Sequence, residues 1–251
     1  MKRIIVNADD FGINEVVTAE IERQITEGRV SSTTIMANGQ CLDEVKRFAT
    51  QHLDISFGVH LCLSEFGSLT QSDGLRNAGI IDDDGSFIHK AIFRLDDYKT
   101  SSLRQAIHDE LNAQIDVVES LGIPISHADS HHHVHTIYPL REVFAEVLRS
   151  HGINKVRKGG DFHTLRMKLH LLKWNRRVNL NKYYSDNFFT TDGFYSFEDF
   201  VTAGMPVTDG QIIELMCHPG HPGARFQDEI RMMENTTLSD DIKLVSYNDL
   251  H

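Results

Sequence analysis

The sequence predicts an α/β protein whose mainly parallel strands curl into a closed or partly closed β/α barrel. Short runs rich in β-branched residues alternate with segments whose apolar residues recur at helical spacing, which is the signature of βα units. Seven or so such units fit within 251 residues, which suits a barrel better than an open doubly wound sheet. Chemically capable side chains also gather at the carboxyl ends of the strands, the rim on which parallel barrels build their sites.

The first unit starts with "RIIVNA" (Arg3–Ala8), a buried parallel strand by its composition. Ile13, Val16, Val17, Ile21 and Ile25 follow at helical spacing, and Gly28 supplies a stop. Val30–Ala37 predicts a second strand, Leu42–His52 a second helix and Ile55–Leu63 a third strand. The long polar stretch Ser64–Thr100, with "DDDG" at Asp82–Gly85, interrupts this rhythm and is expected to cross one face as an excursion.

Regularity returns where Leu103, Ile107, Leu111, Ile115, Val118 and Leu121 line one side of a helix. Ser102 and Gln105 fit a capping box, and Gly122 with Pro124 fits a stop. Pro124–Asp129 reads as a strand, Leu140–Ser150 as a helix and Ile153–Lys158 as another strand. Gly159–Phe200 is aromatic-rich and forms a second expected excursion. Within it, Tyr183–Phe197 offers either a stacking face for a sugar ring or ordinary core packing. Strands at Gln211–His218 and Ile242–Tyr247 complete the set. No repeat, low-complexity tract or linker divides the chain, so residues 1–251 read as one domain.

A net charge of −11 argues against nucleic acid or an anionic membrane as partner and favours a small neutral or cationic ligand. Cys41, Cys62 and Cys217 are too few and too scattered for a disulfide framework and read as buried fillers. The opening "MKRIIVNADD" lacks a signal-peptide pattern and no later run approaches membrane-spanning length, so the expected location is the cytoplasm.

Asp9 and Asp10 end the first strand, Asn38 the second, and His60 lies in the third. The fourth leads into "SHADSHHHVH" (Ser126–His135), five histidines in ten residues, which supplies Asp129, His131, His133 and His135. Arg157 ends the fifth strand and His218 a late one. Neighbouring residues of a regular strand face opposite ways, so Asp9 and Asp10 share a cavity only if the chain turns there, as Gly12 suggests. Otherwise the pair is a solvated acidic turn. His60 alone would be a hydrogen-bonded core histidine. One aspartate with two histidines, in contrast, is an open coordination set that leaves places for water and substrate. Its imidazoles favour zinc or another transition metal over magnesium. Asp129 is placed to orient a histidine, and His133 with His135 could hold a second ion.

The segments "NADDFG" (Asn7–Gly12), "SSTTIMANG" (Ser31–Gly39), "GVHL" (Gly58–Leu61), "HADSHHHVH" (His127–His135) and "ELMCHPG" (Glu214–Gly220) together resemble the YdjC family of carbohydrate deacetylases, which includes chitooligosaccharide deacetylase. Ser64–Thr100 and Gly159–Phe200 match the family pattern weakly. Through its likeness to the NodB-like polysaccharide deacetylases, the family implies an irregular β/α barrel with one divalent ion. Zinc or magnesium is expected, and cobalt is a further option. The resemblance implies Asp10, His60 and His131 as ligands, Asp9 as general base and His218 as a second proton-transfer group. Asn38, Asp129, His133, His135 and Arg157 are expected around the substrate or behind the ligands. A homodimer is also implied. The expected reaction removes the N-acetyl group of an amino sugar, such as diacetylchitobiose or a short chitooligosaccharide, and releases acetate. The competing readings are a binuclear amidohydrolase or phosphoesterase, and a noncatalytic metal-dependent sugar-binding protein.

Overall fold

A computed structural model describes residues 1–95, 97–159, 171–204, 207–223, 226 and 228–251. Its elements are, in chain order, β1 (Lys2–Phe11), α1 (Glu15–Thr26), β2 (Ser32–Ile35), α2 (Leu42–Ala49), β3 (Ser56–Leu61), α3 (Asp73–Asn77), α4 (Ser101–Ser120), β4 (Ala128–Ser130), α5 (Arg141–Ser150), α6 (Leu171–Asn187), β5 (Gly193–Ser196), α7 (Phe197–Ala203), β6 (Ile212–Cys217), α8 (Glu229–Asn235) and β7 (Ile242–Leu244).

The strands form one parallel sheet of order β4-β3-β2-β1-β6-β5, with β7 added against the start of β1. The sheet is curled, and its two edges are drawn together by isolated parallel bridges. Ala128 pairs with Val156, and Lys155 pairs with Phe189 just before β5. The predicted strand Ile153–Lys158 is therefore only a pair of bridges, and β4 is shorter than the predicted Pro124–Asp129. Pro124 brings no N–H to a ladder, and residues 126 and 127 bond β3 through single contacts instead, Ser126 N–H to Phe57 O and Val59 N–H to His127 O.

β1 explains why the interior is polar at one end. Ile4, Val6 and Ala8 belong to the main core under the helices, whereas Ile5 belongs to a second cluster with Ile212, Val245, Tyr247 and Leu250. Strand alternation places Asn7 and Asp9 on the Ile5 side, toward the inside of the curl. α1 starts on Asn14, whose side chain accepts from Val17 N–H at 3.0 Å, and buries Val17, Ile21 and Ile25. α4 buries the predicted stripe from Leu103 to Val118. The predicted Ser102–Gln105 capping box does not form, because the chain enters the helix from Thr100 and leaves Ser102 inside the first turn.

The excursion at 64–100 holds α3 and a short 3-10 turn, Ala91–Arg94. Within the second excursion, α6, β5 and α7 form from sequence with no clear periodicity, and residues 160–170 lie outside the described residues. All three cysteines are buried. Among the described residues, no helix is long and apolar enough to cross a membrane.

Candidate metal centre and active site

The carboxyl end of β1 delivers two consecutive aspartates to one cavity by breaking strand geometry. Asp10 has φ +69°, and the pairing of β1 with β2 slips in register between Ala8 and Phe11. A left-handed residue costs about 1–2 kcal/mol, and aspartate tolerates that region better than most side chains. Gly12, at φ +92°, completes the turn. As a result Asp9 and Asp10 both line a cavity of about 660 Å³, together with His60, His131, His133 and His218.

Two imidazoles converge on a single oxygen of Asp10. Oδ1 lies 3.2 Å from His60 Nε2 and 2.9 Å from His131 Nδ1. All three side chains are buried, and their donor atoms lie within 4.8 Å of one another. The other nitrogen of His60, Nδ1, is 2.6 Å from Asp129 Oδ1. With that N–H given to Asp129, Nε2 is the nitrogen left for a bound ion, as a ligating histidine requires.

The charges around the triad also fit a cation. Asp9, Asp10, Asp129 and Glu214 bring four buried carboxyl groups, and Arg157 is the guanidinium buried among them. Burial opposes protonation of His60, yet Asp129 and Asp10 hold its pKa well above the ordinary histidine value. Burial likewise opposes charge on His131, and the hydrogen bonds it donates to Asp10 and Glu65 hold its pKa up. Positive charge is thus favoured at the point where the three side chains meet, and one carboxylate with two imidazoles suits a divalent transition ion.

Beside the triad, Arg157 grips Asp9 with two bonds of 2.7 Å, Nη1 to Oδ2 and Nη2 to Oδ1. The same guanidinium reaches Asp129 Oδ2 at 2.6 Å, meets Glu214 through Nε at 2.8 Å, and lies 4.8 Å from the Phe194 ring. Asn7 Nδ2 also donates to Asp9 Oδ1 at 2.9 Å. Burial works to raise the Asp9 pKa, but Arg157 overrides it and holds the carboxyl far below the usual range. Glu214 goes the other way: burial pushes its pKa up, while Tyr247 donates its hydroxyl to Oε2 at 2.6 Å.

His218 Nε2 stands 3.8 Å from Asp9 Oδ2, and its Nδ1 has no hydrogen-bond partner among the described residues. Burial lowers its pKa against the pull of Asp9 and Asp10, so the resting imidazole is neutral near pH 7. The ring packs against Phe226 with centroids 4.3 Å apart.

The remaining expected residues divide. His133 lines the cavity with Nδ1 unpartnered among the described residues, and burial lowers its pKa to about 3. His135 turns inward, bonds Ser130 Oγ through Nδ1, and does not line the cavity. These two rings stand 6.3 Å apart, and among the described residues no third donor groups with them. Asn38 also lies outside the cavity lining. Its amide donates to Gly67 O at 3.1 Å and Glu65 O at 3.4 Å, so it ties the excursion to the end of β2.

The excursion itself forms one wall through Glu65, His89, Lys90 and Phe93. Glu65 went unnoticed in the sequence, although it lies only four residues past the end of β3. The Tyr183–Phe197 stretch resolves largely as packing: Tyr184, Phe188, Phe194 and Phe197 are buried, and among the described residues the phenyl rings lining the cavity are those of Phe93 and Phe226.

The fold has counterparts among solved structures. A candidate cellobiose-phosphate cleavage protein from Enterococcus faecalis superposes with a TM-score of 0.72 at 23% identity, covering 98% of each chain. A lactam utilization protein from Thermus thermophilus gives 0.51 at 12% identity, covering 98% of this chain and 100% of its own. Curated relatives include a carbohydrate deacetylase from Vibrio parahaemolyticus, 28% identical over 221 residues (87% of this chain, 78% of the relative). Another, from Geobacillus stearothermophilus, is 31% identical over 220 residues (86% and 79%). The family model described as YdjC-like protein matches residues 3–245, which takes in every site residue described above. The chain belongs to the YdjC-like protein family.

Proposed function

We propose that this protein is a metal-dependent carbohydrate deacetylase that hydrolyses the N-acetyl amide of an amino sugar, with diacetylchitobiose or a short chitooligosaccharide as substrate. The observation that carries this reading is the convergence of His60 and His131 on Asp10, beside a separately clamped Asp9 and a neutral His218. The carbohydrate deacetylases among its relatives, similar over most of the chain, support it. A cavity of about 660 Å³ is within the usual range for small-molecule sites.

Asp10, His60 and His131 are the residues that would hold a zinc, magnesium or cobalt ion, which when bound polarises the amide carbonyl and acidifies a nearby water. The rest of the chemistry falls to Asp9 and His218. The water oxygen bonds to the carbonyl carbon, its proton passes to this pair, the carbon–nitrogen bond breaks, and the proton ends on the departing amine. The resemblance makes Asp9 the base, but the Arg157 clamp leaves its carboxylate weakly basic. Neutral His218 is better matched to accept a proton near pH 7. Asp9, held ionised, then stabilises the imidazolium across the 3.8 Å gap. Arg157 occupies both oxygens of Asp9 and fixes its direction.

The test is acetate release from N,N'-diacetylchitobiose by metal-stripped protein reloaded with zinc, magnesium or cobalt. Release that depends on the ion supports the proposal, and no acetate under any loading contradicts it.

A further inference from the structure

We propose that Glu65 is a positioning residue of the metal centre, holding His131 as Asp129 holds His60. The inference rests on the reading that Asp10, His60 and His131 hold an ion. A histidine ligand offers one nitrogen to the ion, and its other N–H needs an acceptor that fixes tautomer and ring angle. For His60 that acceptor is Asp129, on β4 and fully buried. For His131 the nitrogen turned away from Asp10, Nε2, lies 3.1 Å from Glu65 Oε2.

His131 needs the restraint more than His60 does. His60 sits in β3, with regular backbone on both sides. His131 opens an irregular turn in which His132 and His133 take left-handed φ of +51° and +56°. No ladder fixes its side chain, so its ring is held by Asp10 on one side and Glu65 on the other.

Glu65 is itself firmly placed. Its carbonyl accepts from Cys62 Sγ at 3.2 Å and from Asn38 Nδ2 at 3.4 Å. The loop just after it is fastened to the buried Glu110 of α4, which accepts from Ser68 Oγ at 2.7 Å, Leu69 N–H at 3.1 Å and Thr70 N–H at 2.9 Å. Its second oxygen, Oε1, bonds His89 Nδ1 on the cavity wall. The carboxylate therefore links the excursion to a metal ligand. A different role, with Glu65 itself ligating alongside His131 and His132, makes a different prediction in the same experiment.

Zinc affinity is measured by chelator competition on the metal-stripped full chain and on its Glu65→Ala, Glu65→Leu, Glu65→Gln and His89→Ala variants, with far-UV circular dichroism to confirm folding. Glu65→Ala and Glu65→Leu are expected to weaken zinc binding roughly 10–100-fold, the usual cost of losing a partner behind a ligand. Glu65→Gln, whose amide oxygen still accepts from His131, should stay within about threefold of wild type on the same scale. His89→Ala, which removes one of the bonds that place the carboxylate, should fall between Glu65→Gln and Glu65→Ala. Wild-type affinity in both the Ala and Leu variants overturns the proposal. So does a Gln variant as weak as Ala, which would mark Glu65 as a ligand. No zinc uptake by the wild type overturns it as well. Affinity needs no substrate, so the expected pattern in a protein that releases no acetate would sink the deacetylase reading alone. Acetate release with unchanged affinity in Glu65→Ala would sink this inference alone.

Discussion

Arg157 holds both carboxylate oxygens of Asp9 at 2.7 Å in a pocket where neither side chain is appreciably exposed. It is also the cation that Asp129 and Glu214 share. One residue thus fixes the direction of Asp9, lowers its basicity and offsets the carboxylates behind His60.

Removing that guanidinium should be costly. Arg157→Ala leaves buried carboxylates without their counter-charge, and breaking a buried pair this way costs about 3–5 kcal/mol. Urea denaturation should show a loss of that size. Arg157→Lys, unable to form the two-pronged contact, should fall between Ala and wild type. An Arg157→Ala protein as stable as wild type would contradict the electrostatic account.

The order of proton transfer is open to a pH profile. Burial is the largest influence on His218 and lowers its pKa, while Asp9 and Asp10 raise it and His60 and Arg157 lower it further. If His218 must be neutral to accept the proton, kcat/KM falls on the acid side, with its limb below the ordinary histidine value of 6.5. Asp9→Asn removes a group that raises the His218 pKa, so the limb should move to lower pH as turnover drops about 10²–10⁴-fold. A limb that stays in place in Asp9→Asn and vanishes in no His218 variant would argue against His218 as acceptor.

Gly58 is predicted to be intolerant of any side chain. A Cβ there would sit 2.5–2.8 Å from ring atoms of His127, which lies flat against the Tyr247 ring at 3.7 Å and bonds Asn7 Oδ1 at 3.1 Å. Gly58→Ala should cost about 1–3 kcal/mol as an overpacked core does. Because His127 supports Asn7 and Asn7 bonds Asp9, activity should fall as well. Equal stability of variant and wild type in denaturant titration would refute the prediction.

Buried neutral histidines should make the protein acid-sensitive. Burial holds the folded pKa of His127 well below 6.5. The unfolded chain therefore takes up a proton that the folded chain refuses, and stability falls as pH drops below about 6.5. The slope approaches ~1.4 kcal/mol per pH unit for each such group. His60 and His131 act oppositely: their folded pKa values are raised, so their contribution is present at low pH and lost as pH rises through those values. The discriminating quantity is thus the difference between wild type and His127→Gln, which should have a shallower decline between pH 7.5 and 5.5. Parallel declines would contradict it.

Much of the barrel could be read from the chain, because buried parallel strands such as Arg3–Ala8 and Gln211–His218 are mainly apolar and α4 carries a regular apolar stripe. The rim position of Asp10, His60 and the histidine cluster followed from those strands. What local pattern did not show was set by contacts remote in sequence. Asp10 shares a cavity with Asp9 through a left-handed residue and a register slip, which residue types alone do not specify. Glu65 reaches His131 because Glu110, more than forty residues later, fastens its loop. Asn38, at the end of its strand, faced the excursion instead of the cavity. The histidine cluster gave no sign of which ring turns to Asp10, because His132 and His133 break the helical spacing that would have fixed their directions. β5 and α7 arise where aromatic residues pack inward without a clean period.

The most direct test of the central claim is the ion itself, measured by equilibrium dialysis of metal-stripped protein against zinc, with bound metal quantified per chain. The account predicts a single bound ion, lost when Asp10, His60 and His131 are replaced together by Asn, Ala and Ala, and retained in Asp9→Asn. A wild-type protein that takes up no ion, or a triple variant that binds as much as wild type, would contradict it.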